Sequence, residues 1–208
     1  MTDPEPPPGR LRADAQRNAE RIRVAALEVF RAGGLGRPLD EVARAAGVSK
    51  GTIYHRYGGR QGLIDAVVEE LVAERIDGIV AEAARWDDPG DAFESYLRLI
   101  WMLQYDEPAA NDVLLRSQLG SPLLASLCER ANAFAARLLA AAQAFGAVRS
   151  DLAPEDLSQL IRERGVIARD CHGQPRAAYE RTCAYMLHGL RASAAQDGRR
   201  RKPAAPAV

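Results

Sequence analysis

The stretch Leu39-Asp40-Glu41-Val42-Ala43-Arg44-Ala45-Ala46-Gly47-Val48-Ser49-Lys50-Gly51-Thr52-Ile53-Tyr54-His55-Arg56-Tyr57 decides how this chain reads. Pro38 stands where a helix can begin, and Asp40 and Glu41 set negative charge against the positive end of the helix dipole. A short helix is therefore expected over 39–46. Gly47 can enter the left-handed region that stops it. Ser49 is a favourable N-cap for a second helix over 50–57, and Gly58-Gly59 breaks the chain again. Two short helices joined by a tight glycine turn and braced by a third make a helix-turn-helix, whose second helix fits the DNA major groove. The spacing is specific. Ala43 is small where the helices cross, Gly47 follows four residues later, and Ile53 six residues beyond pins the second helix inward, with Val42 and Val48 filling the rest.

Outward from this segment, apolar residues recur three and four apart, and strand-type alternation is absent. The first helix is expected over 14–31, with Ile22, Ala25, Ala26, Val29 and Phe30 on one stripe. Further helices are expected over 60–85, from about 91 to 105, 109–119, 122–145, 154–169 and 176–195. The fold class is all-α: a three-helix DNA-binding head plus a C-terminal helical bundle, about nine helices in total. The head spans 14–59 and the second domain 60–196, between tails at 1–13 and 197–208 whose proline content and lack of apolar period predict no structure.

Composition bounds the function. The chain has 208 residues, 47% hydrophobic and 27% charged, which suits a globular protein. No apolar run approaches the roughly 18 residues of a membrane span, and the acidic, proline-rich start lacks a secretory signal, so a cytoplasmic location away from membranes is expected. Cys128, Cys171 and Cys183 have no CxxC spacing, so no disulfide framework, metal site or cofactor is expected. The net charge is zero, but residues 1–62 hold eleven Lys/Arg against seven Asp/Glu, and residues 63–198 hold thirteen against twenty-one. A basic first third suggests that this part meets a polyanion. An enzyme finds little support: Gly33-Gly34-Leu35-Gly36 is not GxGxxG, no GxSxG occurs, and His55, His172 and His188 lack motif partners. A DNA-binding architectural protein or activator without a ligand is the other rival.

Phe30, Gly34 and the run 39–57 resemble the TetR family of regulators, and the likeness continues into Arg60 and Leu63. The stretch 147–157 also resembles a recurring segment of that family's C-terminal domains. The resemblance implies a repressor: a homodimer with two heads on palindromic double-stranded operator DNA, joined through its last two helices and released by a small-molecule effector. On this reading Lys50, Thr52 and His55 contact bases, with Ser49 beside them. Tyr54 reaches the DNA backbone, Tyr57 packs in the core, and Arg60 at the start of its helix suits phosphate. Phe93, Tyr96, Trp101, Tyr105, Gln118 and Phe134 are the expected effector-pocket residues, against plain core packing as the competing reading. Leu157, Leu160, Ile161, Tyr179, Cys183, Met186, Leu187 and Leu190 are the expected dimer interface. Two features depart from the family pattern. Pro38 replaces a Ser or Thr cap, and Ile161-Arg162-Glu163-Arg164-Gly165 puts charge in a helix that should be apolar. Arg162 and Arg164 are expected in solvent or ion pairs, with an acidic partner or anionic effector as the alternative.

Overall fold

Ten α-helices order the described residues, 8–115, 122–170 and 175–192, of this computed structural model. They are α1 (Pro8–Gly33), α2 (Leu39–Ala46), α3 (Lys50–Tyr57), α4 (Arg60–Val68), α5 (Glu74–Ala83), α6 (Pro89–Asp106), α7 (Pro108–Leu115), α8 (Pro122–Phe145), α9 (Pro154–Asp170) and α10 (Arg176–Leu190). The helix expected over 60–85 is present as α4 and α5, separated by a π-helical turn at Glu69–Ala73, which accounts for ten helices against nine. The first helix starts at Pro8 rather than near 14, so the expected unstructured tail 1–13 is corrected over 8–13. Proline suits a first helical turn, where its missing N–H has no helical partner to lose. Residues 1–7 and the expected tail 197–208 lie outside the described residues. Among the described residues no strand forms beyond an isolated antiparallel bridge between Val148 and Arg191. No described helix is long and apolar enough to cross a membrane.

The chain divides into two compact units, Met1–Arg75 with Asp106–Leu127, and Ile76–Tyr105 with Cys128–Val208. The expected boundary after residue 59 therefore moves. α4, the π-helical turn and α7 join the head because α1 packs on α2, α4 and α7, and α7 packs on the π-helical turn. Ile22, Ala26, Phe30, Val42, Ile53, Leu63 and Val67 are fully buried in this first unit. Each large apolar side chain so buried contributes about 1.5–3 kcal/mol. In the second unit Phe93, Leu97, Trp101, Leu139, Leu157 and Tyr179 fill the core.

Gly62 holds α3 and α4 in contact. A Cβ there would lie 1.8 Å from the Tyr57 carbonyl oxygen, a backbone atom that can move only with its helix. Gly62→Ala is expected to lower the unfolding free energy by roughly 1–3 kcal/mol, the usual cost of forcing atoms into a packed site. Gly78 on exposed α5 has open space around its Cα. Gly78→Ala should instead stabilise by about 0.5–1 kcal/mol through helix propensity. Urea denaturation of both variants checks the contrast.

Candidate nucleic-acid interface

The turn between α2 and α3 forms as its residues dictate. Gly47 adopts φ 63° and ψ 37°, and Val48 N–H returns to the Ala43 carbonyl at 3.0 Å, closing the end of α2. Ser49 then caps α3: its Oγ accepts the Thr52 N–H at 3.1 Å and lies 2.9 Å from Thr52 Oγ1. Leu39, Val42, Ala43 and Ala46 of α2 are buried, and Ile53 is the buried residue of α3.

Ile53 fixes the rotation of α3. At about 100° per residue, Gly51 and His55 stand opposite Ile53, while Thr52 and Tyr54 flank them. Gly51, Tyr54 and His55 are exposed and Thr52 is half-buried. The face opposite the core thus combines a residue without a side chain, an imidazole, a hydroxyl and a phenol. Lys50 is exposed at the first turn, where its Nζ lies 3.1 Å from an Asp40 carboxylate oxygen. An exposed pair of this kind holds the lysine by no more than about 1 kcal/mol, so a phosphate or base edge can take it over. Tyr54 lies over Gly59, whose missing Cβ would come within 3.0 Å of the ring. The Tyr57 hydroxyl donates to the Ala19 carbonyl at 3.1 Å, and burial raises its pKa. Tyr57 therefore braces α3 against α1.

Arg60 is occupied differently from the expectation. Its guanidinium donates to the Arg37 carbonyl at 2.6 Å and to the Leu35 carbonyl, so it holds the α1–α2 loop. On the other side of the same loop, Asp112 of α7 accepts the Leu35 N–H at 2.7 Å. Two exposed cations escaped the residue-by-residue reading: Arg44 in the last turn of α2 and Arg56 on α3. Neither has an ion-pair partner among the described residues. Their signal was the helix period itself, which turns position 44 away from buried Val42, Ala43 and Ala46.

Known proteins match both parts of the chain. Residues 22–67 match the family described as bacterial regulatory proteins, tetR family, and residues 88–192 match the family described as transcriptional regulator SbtR-like, C-terminal domain. The chain belongs to the TetR family of transcriptional regulators. The curated regulator RaaS of Mycobacterium tuberculosis is 42% identical over 69 residues, a match covering 33% of this chain and 32% of that protein. A TetR transcription regulatory protein from Mycobacterium vanbaalenii is 32% identical, with a TM-score of 0.50, covering 87% of this chain and 99% of that one. The structure of RolR in complex with resorcinol shares the fold at 15% identity, with a TM-score of 0.57 over 94% of this chain and 98% of that one.

In the second unit of this TetR-family chain, the expected pocket aromatics serve as core. Phe93, Tyr96 and Trp101 are fully buried, and the Tyr96 hydroxyl donates to the Ala131 carbonyl at 3.1 Å, which with burial raises its pKa well above the usual range for a phenol. Phe134 meets the Tyr96 ring at 5.4 Å between centroids, and Tyr105 meets Tyr179 at 4.8 Å. Gln118 lies outside the described residues. The structure instead opens a cavity of about 530 Å³ on another face of α6, lined by Glu94, Arg98 and Met102 at successive helical turns and by Cys183, Leu187 and Arg191 of and beyond α10. The Glu94 carboxylate pairs with Arg191 at 2.6 Å across it.

The expected interface residues also divide. Leu157, Tyr179, Cys183 and Leu187 are buried within the protomer itself, so they have no surface to offer a second copy, while Leu160, Ile161, Met186 and Leu190 are half-buried. The reason is that the apolar stripes of α9 and α10 pack into their own unit first. The large apolar side chains left exposed on these helices are Val166, Ile167 and Tyr185.

Because Arg60 is committed to backbone carbonyls, Arg60→Ala is expected to lower head stability by about 1–3 kcal/mol through unsatisfied loop carbonyls. The slope of log affinity for DNA against log salt should stay unchanged, whereas loss of a phosphate contact would lower its magnitude by about 0.9. Fluorescence anisotropy over a salt series measures it.

Proposed function

We propose that this regulator is a repressor that binds a palindromic operator as a homodimer and leaves it when a small molecule occupies the second unit. The observation that carries the reading is the outward face of α3, a capped helix whose rotation is locked by Ile53 and whose Gly51, Thr52, Tyr54 and His55 face away from the core. The major groove presents a distinct donor, acceptor and methyl pattern for every base pair, and a helix held in one rotation can read it. Gly51 permits close backbone approach, Thr52 and His55 supply base-edge contacts, and Lys50 adds a charge at the first turn. Tyr54, Arg44 and Arg56 suit phosphates, which fix register without reading sequence.

Exposed apolar side chains on two helices support the dimer. Tyr185 is 68% exposed, Val166 48% and Ile167 41%, a surface better covered by the same surface of a second copy than by water. An isologous pair would set two α3 helices on half-sites about 34–36 Å apart, or a multiple of that distance. The cavity of about 530 Å³ falls within the size range of small-molecule sites, about 300–1,000 Å³. The chain passes between the two units three times, at 75/76, 105/106 and 127/128, so a ligand that changes the second unit has covalent routes to the first. Linkage is reciprocal: an effector that weakens operator binding is weakened by operator in the same proportion.

Selection of genomic fragments by the full-length protein, followed by anisotropy with the enriched sequence, tests the reading. A palindrome should emerge. Thr52→Ala and His55→Ala should each cost about 1–3 kcal/mol on that sequence and leave binding to random DNA unchanged. Equal losses on both DNAs, or no enriched sequence, would reject sequence reading in favour of an architectural role.

A further inference from the structure

The charges that broke the apolar pattern of α9 have separate fates. Arg162 is exposed, as expected of a solvated cation. Arg164 is only 4% exposed, and no carboxylate among the described residues lies within ion-pair distance of it. Its guanidinium carbon sits 4.3 Å from the centre of the Tyr179 ring, which stacks in turn on Tyr105. Its Nη2 donates to Thr182 Oγ1 at 2.9 Å and to Cys183 Sγ at 3.4 Å, while its Nε–H has no partner. Arginine is almost never fully buried without a counter-charge, because taking the cation out of water is strongly unfavourable.

The neighbouring groups do not supply that counter-charge. Burial pushes the Cys183 thiol up, more than Arg164 pulls it down, so the thiol stays neutral at neutral pH. The nearby Glu180 carboxylate is engaged by Arg176 on its own helix. Yet Cys183, which accepts from Arg164 on one side, also lines the cavity of about 530 Å³. Met102 and Leu187 give that cavity apolar wall. Trp101, next to Met102, carries a second fully buried N–H without a partner. Donors are thus in excess here, and what is missing is an acceptor with negative charge.

We infer that Arg164 is the anion receptor of the effector site, and that the effector is a small organic carboxylate whose apolar part lies along Met102 and Leu187. This rests on the reading of the second unit as an effector domain and names the ligand class. The carboxylate replaces the water the guanidinium lost and pairs with the free Nε in a charge-assisted hydrogen bond. A neutral ligand of the same shape leaves the buried cation as it was. Discrimination between a carboxylate and its amide therefore lies in Arg164.

The test uses the full chain and a panel of straight-chain monocarboxylates from acetate to dodecanoate, each beside its primary amide, with thermal unfolding and operator anisotropy read on the same samples. At least one carboxylate should raise the unfolding temperature more than its amide, because a ligand that binds the folded state alone stabilises it. Arg164→Met, close in length and uncharged, should lose about tenfold or more in carboxylate affinity, and Arg164→Lys should retain part of it. If Arg164→Met fails to fold, the carboxylate–amide difference in the wild-type protein still decides. No stabilisation by any chain length, equal stabilisation by acid and amide, or an Arg164→Met protein that binds the acid as tightly as wild type overturns the inference. So does an Arg164→Met protein whose only change is weaker self-association, which would make the counter-charge a second copy's. A wild-type protein that binds carboxylate selectively but never binds a specific DNA leaves the anion site standing and refutes the regulator reading instead.

Discussion

A leucine in a loop imposes the central constraint. Leu35 is 1% exposed, so its own peptide groups leave water along with its side chain. An unsatisfied buried peptide group costs about 1–3 kcal/mol, and both groups of Leu35 are met by side chains from distant segments. Asp112 of α7 takes the N–H and Arg60 at the start of α4 takes the carbonyl. Because both partners carry charge, these bonds are stronger and more directional than amide pairs. The loop between α1 and α2 is thereby fixed by residues seventy-seven and twenty-five positions away, and the DNA-binding head becomes inseparable from α7.

The same economy of charge appears where the chain leaves the first unit. Arg75, the last residue of that unit's first segment, pairs with Glu107 at 3.0 Å, just inside the point where the chain returns. Two of the three crossings are thus tied to each other on the head side. A few residues earlier, the π-helical turn Glu69–Ala73 interrupts the α4–α5 rod, and Arg23 of α1 reaches Glu70 within it. A π-helical turn is a local departure from the best helical hydrogen-bonding, and it concentrates here, immediately before the chain changes units. Whatever alters the second unit meets a rod that already contains a weak point.

Most of the helices were legible in the sequence because their signals are local. Gly47, Ser49 and Gly58 mark ends by backbone freedom and capping, properties that need no knowledge of the rest of the chain. The direction of Ile53 followed from the same logic. Functions that depend on a partner far along the chain were not legible. Arg60 looked like a phosphate ligand because an arginine at a helix start suits an anion, but the nearest acceptors proved to be loop carbonyls. The pocket aromatics looked like ligand contacts because they cluster on one helix, and clustering also describes a core. The α9 and α10 stripes failed as an interface for a related reason: periodicity shows which face is apolar but not whether the protomer covers it first. The break between units fell later than expected because the packing of α7 on α1 leaves no mark in either segment alone.

Charge accounting joins these observations. A formal net charge of zero argues against a polyanion partner only if a phosphate senses the whole chain at once. At about 0.1 M salt the Debye length is about 10 Å, so each phosphate responds to the charges near it and little else. What matters is then the disposition of cations in the head. Several are spent internally: Arg23 on Glu20 and Glu70, Arg37 on Glu41, and Arg60 on carbonyls. Lys50 is held only by an exposed aspartate, and Arg44 and Arg56 stand without ion-pair partners among the described residues. These three cluster on α2 and α3, the elements that carry the reading helix, so the unspent positive charge and the sequence-reading face belong to the same surface of the head. A molecule that carries excess acidic residues elsewhere is then drawn to DNA by the helices that read it, and its remaining charge does not compete for the same phosphates.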